Sequence, residues 1–169
     1  MGQIEFYHDY QRRLERSIQG LDLVKLSRLA DALWEAWKDK RQVFLCGNGG
    51  SAVNAMHMAN DFLYGIGKGS GKAIRVHALT ANQSVLTCLA NDLSYADVFL
   101  EPLKNFARSG DMVVGISCSG NSPNVVKAVE YAKKQGLVTV GLGAYTGGKL
   151  EGLSDIFIHA RVDSFEVSE

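Results

Sequence analysis

Residues 112–123 read Met-Val-Val-Gly-Ile-Ser-Cys-Ser-Gly-Asn-Ser-Pro, and the architecture can be built out from them. Positions 112–116 carry no polar side chain, and a Ser/Gly/Asn turn ending on Pro123 follows at once. A short unbroken apolar run describes a strand covered on both faces, since a strand wet on one face alternates. Proline suits the first position of a helix, where a missing N–H costs nothing. The stretch therefore reads as strand, loop and helix, the unit from which parallel sheets with crossover helices are built.

The same unit recurs on either side. Residues 42–46 form a short apolar run, followed by Gly47-Asn48-Gly49-Gly50-Ser51 and a helical stretch over 51–64. Strands are predicted at 73–79, 137–142 and 155–159, with helices at 84–90, 96–107 and 123–135. Gly136 sits where a helix-ending glycine belongs. The Gly/Lys segment 65–72 reads as a loop, and Gly147-Gly148 as a turn. Ahead of all this lie two helical stretches, 3–17 and 23–37. In the second, Leu23, Leu26, Leu29, Ala30, Leu33, Trp34 and Trp37 recur at three- and four-residue spacing and form one broad apolar stripe. The expectation is an α/β fold: a doubly wound, flavodoxin-like, five-stranded parallel sheet with helices on both faces, preceded by two N-terminal helices. Residues 1–40 would be a helical pair packing on the domain and on a second subunit, and 41–169 the ligand-binding domain. Doubly wound domains end on a helix that covers the last strand, so the domain is expected to lack its C-terminal helix within these 169 residues.

Composition narrows the partners. Lys+Arg and Asp+Glu number 18 each, giving a formal net charge of zero, without the basic excess that nucleic-acid binding exploits. No apolar run approaches the roughly 20 residues that cross a bilayer. The polar and aromatic start of the chain is unlike a secretory signal. Cys46, Cys88 and Cys118 are too few and too scattered for a disulfide framework. A cytoplasmic protein is expected, with neither a nucleic-acid nor a membrane partner.

In open parallel sheets ligands sit beyond the carboxyl ends of the strands, which directs attention to the two Gly/Ser loops. Asn48 and Ser51 in the first, and Ser117, Ser119, Asn121 and Ser122 in the second, supply hydroxyls and amides. The second loop opens a helix, whose N-terminus favours an anion. Each loop alone is equally well read as an ordinary tight turn; both together, each ending a buried strand, favour a ligand site. Gly47, Gly49 and Ala52 formally satisfy G-x-G-x-x-A, yet the second strand ends Leu79-Thr80-Ala81-Asn82, without the acid a dinucleotide ribose requires. No Gly-Lys-Ser/Thr follows either loop. No nucleotide cofactor is expected, and a small phosphorylated molecule fits better.

The sequences GNGGS at 47–51 and SCSGNS at 117–122, together with Ala55-Met56-His57, Ala90-Asn91-Asp92 and Asp97-Val98-Phe99, resemble the sugar isomerase (SIS) domain family, and within it the phosphoheptose isomerases. The resemblance extends from the N-terminal helices to Glu169. It implies conversion of sedoheptulose 7-phosphate to D-glycero-D-manno-heptose 7-phosphate through an enediol, in a homotetramer serving heptose biosynthesis toward lipopolysaccharide precursors. It also implies roles: Ser117, Ser119 and Ser122, with the backbone around Cys118, Gly120 and Asn121, would grip the phosphate. Asn48, Gly49, Gly50 and Ser51 would hold the sugar, and Asp92 would line the same pocket.

At one position the chain departs from the family. Where the family carries a catalytic glutamate four residues after the histidine, this sequence has Asp61, one methylene shorter. His57 and Asp61 stand one helical turn apart, on the same side, as the expected catalytic pair. That spacing also suits a metal, and some relatives bind zinc there; Glu169 falls near a further ligand position. The competing expectation is a non-catalytic phosphosugar- or protein-binding regulator of the same domain, resembling the bacterial replication-initiation regulator. His8, His77 and His159 read as structural or exposed, Cys118 as a small filler between serines, and Lys68, Lys72 and Arg75 as a solvated basic loop or a phosphate-steering one.

Overall fold

The structure is a computed structural model that describes residues 2–168. Its sheet has five parallel strands: β1 (Gln42–Gly47), β2 (Arg75–Ala78), β3 (Met112–Ile116), β4 (Val138–Gly143) and β5 (Ile156–His159). Their spatial order is β2-β1-β3-β4-β5, the flavodoxin-like arrangement. The helices are α1 (Gln3–Gln19), α2 (Leu23–Lys38), α3 (Gly50–Asn60), α4 (Ile66–Ser70), α5 (Gln83–Asp92), α6 (Leu100–Phe106), α7 (Pro123–Lys134), α8 (Gly148–Leu153) and α9 (Phe165–Ser168).

Strand alternation builds two cores. Val43 and Leu45 point to one face of β1, where Val76, Met112, Val114, Val140 and Ile156 join them beneath Leu29, Leu33 and Trp37 of α2 and Ala55 and Ala59 of α3. Phe44 and Cys46 point to the other face, where Val113 and Phe157 meet α6, α7 and α8 through Leu103, Val125, Val129 and Leu150. β1, β3 and β4 are thus covered on both sides, which is why their sequences lack alternation, whereas the edge strand β2 alternates and leaves Arg75 and His77 exposed. Asp22 caps α2, accepting from the N–H groups of Val24 and Lys25. Gly136, at φ 74°, ends α7 in the left-handed conformation expected of it.

Several local expectations are corrected. The helix expected over 51–64 leaves the α-helical path at Asp61: residues Asp61–Gly65 make a π-helical turn, closed by the Ile66 N–H bonding to the Asp61 carbonyl. Segment 65–72, read as a loop, instead carries the helical turn α4, stopped by Gly71 at φ 70°. Its glycines disfavour helix, but the Ile74 N–H bonds back to Phe62 O and Trp37 Nε1 bonds to Lys72 O, pinning the segment down. The turn expected at Gly147-Gly148 runs on into α8. The helix predicted over 96–107 is a 3₁₀ turn (Tyr95–Asp97) followed by α6.

Between β4 and β5, Asp155 accepts from the Thr139 N–H at 3.0 Å and from its hydroxyl at 2.9 Å, with Lys133 3.6 Å away. Partial burial pushes the Asp155 carboxyl up, but these donors outweigh it and hold the group below the usual carboxylate range. A depressed folded-state value stabilises the protein above the unfolded-state value of about 3.9, and that contribution disappears as pH falls through the folded-state value. Melting curves taken across the acid range are expected to show Asp155→Asn less stable than the parent at neutral pH, and the gap closing below about pH 4.

Candidate functional site

The order β2-β1-β3 makes the gap between β1 and β3 the point where strand order reverses, and ligand crevices open at such points. The loops after β1 and β3 lie side by side there, because Gly47 pairs with Ile116 in register. In the first loop Gly49 has φ 56°, and Gly47 lies so close to Ser51 that an added Cβ would stand 2.8 Å from its backbone. The second loop is folded on itself: Gly120 N bonds to Ser117 O, and the hydroxyls of Ser117 and Ser122 lie 3.0 Å apart. Ser119 is exposed, and its Oγ accepts from the Asn121 N–H at 3.3 Å. With Pro123 at the start of α7, the helix directs its N-terminal end at this loop.

Two cavities flank the first loop. One, of about 270 Å³, is lined by Ser51, His57, Cys118, Gly143, Ile158 and Ser168 among others. It brings together a residue of each expected loop and the expected catalytic histidine. The other, of about 180 Å³, is bordered by Gly47, Asn48, Gly49, Thr80, Thr87 and Tyr95. Thr80 contributes a buried hydroxyl with no hydrogen-bond partner among the described residues.

Other expected residues are placed differently. Asp61 opens the π-helical turn, 60% exposed, with its Oδ2 3.8 Å from His57 Nε2. It faces His57 as the spacing requires but does not line the cavity that His57 reaches. Asp92 is exposed, accepting from Asn91 Nδ2 at 2.8 Å and Cys88 Sγ at 3.4 Å; the Asn91 bond, then the Cys88 bond, draw its carboxyl below the usual range. It borders neither cavity. Asn121 is committed to the scaffold: its Nδ2 donates to Ser119 O and its Oδ1 accepts from the Lys149 N–H, tying the loop to α8. Cys46 lies wholly buried under the first loop, and burial pushes its thiol up to about 12.

As a metal site, His57 and Asp61 supply two donors on consecutive turns, half of the four that zinc takes. Among the described residues no group of three or more His, Cys, Asp or Glu side chains is placed to hold a metal. Glu169, the third expected ligand, lies outside the described residues.

Sequence reasoning missed Asn124 and Tyr95. Asn124 is only 1% exposed and makes a reciprocal amide pair with Asn48 across 76 residues of sequence, both bonds 2.9 Å. Tyr95 donates its hydroxyl to the same Asn48 Oδ1 at 2.9 Å. A polar residue beside Val125 and Val126, on the face of α7 that packs inward, was the available signal for Asn124.

Comparison with protein families matches residues 5–144 to the SIS domain. The chain belongs to the SIS domain family. Within it, the match is to phosphoheptose isomerases. The phosphoheptose isomerase of Fusobacterium nucleatum is 43% identical over 128 residues, covering 76% of this chain and 65% of that protein. That of Helicobacter pylori is 37% identical over 147 residues, covering 87% of this chain and 76% of the other. This SIS chain thus spans less than two thirds of the F. nucleatum protein's length. Among solved structures, phosphoheptose isomerase from Neisseria gonorrhoeae superposes with a TM-score of 0.87 at 26% identity, over 97% of this chain and 86% of that one.

Proposed function

We propose that this SIS-domain chain is an aldose–ketose isomerase that converts sedoheptulose 7-phosphate to D-glycero-D-manno-heptose 7-phosphate. The observation that carries the proposal is the cavity in which His57 meets Ser51 of one ligand loop and Cys118 of the other. The phosphoheptose isomerase relatives support the choice of substrate.

The 117–122 loop holds the phosphate by its serine hydroxyls and backbone, aided by the positive end of α7 in place of any Lys or Arg. The first loop holds the sugar. A base removes a proton from C1 while the C2 carbonyl oxygen gains one, giving the 1,2-enediol. A proton then returns to C2 and the O1 proton leaves, giving the aldehyde. His57 and Asp61 are the proposed proton-transfer pair, His57 reaching the cavity and Asp61 standing 3.8 Å behind it. Zinc, where bound, would use the same pair and polarise the substrate's oxygens. A cytoplasmic homotetramer is part of the proposal; its self-association is supported by Phe6, Tyr7, Trp34 and Tyr64, each more than half exposed.

The position of Asp61 outside the cavity lining favours one rival, a phosphosugar-binding regulator without turnover. Incubation with sedoheptulose 7-phosphate in D2O, followed by NMR, separates the two. Deuterium in the sugar together with an aldose product supports the isomerase; binding without exchange supports the regulator. Ser119→Ala is expected to weaken sugar-phosphate binding by about 1–3 kcal/mol, through loss of a hydrogen bond to a charged group. Calorimetric titration checks this, and an unchanged affinity would remove the hydroxyl from the site.

A further inference from the structure

This inference rests on the sugar-phosphate reading above and concerns how the first loop recognises its ligand. The hydrogen bonds around Asn48 have directions that can be fixed one after another. The Val125 N–H can only donate, so the Asn124 atom 3.0 Å from it is the carbonyl oxygen. Asn124 Nδ2 is then the group facing Asn48, and the atom it meets at 2.9 Å is Oδ1. Asn48 Nδ2 returns a bond to Asn124 Oδ1 at 2.9 Å. The Tyr95 hydroxyl, 2.9 Å from Asn48 Oδ1, faces an acceptor and must donate.

The inventory that remains is small. Both acceptor positions of Asn48 Oδ1 are taken, and one of the two hydrogens on Nδ2 is committed. The proton of Tyr95 is committed as well, so its oxygen can only accept. We infer that Asn124 is a positioning residue: its amide, oriented by a backbone N–H, makes Asn48 present one N–H donor and Tyr95 one acceptor oxygen to the cavity both residues line. A sugar hydroxyl, which donates and accepts at once, satisfies that pair. A phosphate dianion, which only accepts, leaves the Tyr95 oxygen unmatched. The arrangement therefore selects the hydroxyl-bearing part of the ligand and leaves the phosphate to the 117–122 loop.

The test compares Asn124→Leu and Tyr95→Phe with the parent chain, titrating sedoheptulose 7-phosphate and, separately, inorganic phosphate. Leucine keeps the volume of the buried side chain and adds no charge to the first turn of α7, but removes the amide that orients Asn48. Affinity for the sugar phosphate is expected to fall about tenfold in N124L, and by a smaller factor in Y95F, with inorganic phosphate binding changed less than about twofold in both. Equal losses for both ligands would reduce Asn124 to a residue of the fold and overturn the inference. So would unchanged sugar-phosphate affinity in both variants while the parent binds. Tyr95 is 59% exposed, so Y95F decides the matter should N124L fail to fold. A parent chain that binds no sugar phosphate would instead sink the functional reading itself, and the inference with it.

Discussion

Replacing His57 by Gln is expected to lower kcat/KM for sedoheptulose 7-phosphate by roughly 10²–10⁴-fold, the range for loss of a proton-transfer group. The side chain is 74% exposed, so the melting temperature should stay close to that of the parent. That combination distinguishes a chemical role from a structural one. Asp61→Asn serves as the companion: acting from behind His57, it should lower kcat more than it raises KM. Steady-state kinetics with a coupled or NMR assay measure both. A His57→Gln enzyme that turns over at the parental rate would move the chemistry to another residue and end the assignment of this cavity.

The second large effect is expected at Gly120. Its φ is 66°, and a Cβ built there would lie 1.9 Å from the Gly147 carbonyl oxygen. Backbone cannot give way as a flexible side chain does, and the Gly120 carbonyl also holds the Leu150 N–H at 2.9 Å. Gly120→Ala is therefore expected to destabilise the protein by about 3–5 kcal/mol, combining left-handed strain, a backbone clash and a lost bond. Gly71→Ala is the control. Gly71 shares the positive φ, at 70°, in the left-handed helical conformation, but has nothing within 4 Å of the added Cβ. It should cost only about 1–2 kcal/mol from conformation alone. Urea denaturation of the two variants separates the steric cost from the conformational one, and equal losses would refute the proposed contact with Gly147.

How much of this was legible in the sequence follows from the range of the interactions involved. The β1 and β3 units could be read because a doubly covered strand has to be apolar at every position, and the loop and helix signals sit next to it. The π-helical turn at Asp61–Gly65 left no such trace: Asp-Phe-Leu-Tyr-Gly reads equally well as the end of an α-helix. Its geometry is set by contacts beyond it, including Ile74 N to Phe62 O. Likewise α4 forms in a Gly-rich segment that propensity assigns to a loop. At the site, residue types were legible but directions were not. Asn48 and Asn121 look alike as ligand-facing amides from where they stand. The structure bonds Asn121 to α8, and sets the direction of Asn48 through Asn124, 76 residues away, a pairing no local pattern could reveal.

The strand order has a consequence for synthesis. β1 sits between β2 and β3, and its pairing with β3 joins Val43 to Met112. A nascent chain emerging from the ribosome can pair β1 with β2 once Ala78 is out, but the other edge of β1 stays open until Ile116 follows. Through that interval Phe44 and Leu45 lack their β3 partners Val113 and Val114, and aggregation or chaperone capture competes with folding. Asn48 waits longer still, for residue 124. The pocket therefore assembles only after residue 124 has emerged, and a ribosome paused with any of residues 80–115 at the mouth of its exit tunnel would display an unclosed sheet with no ligand site to protect it.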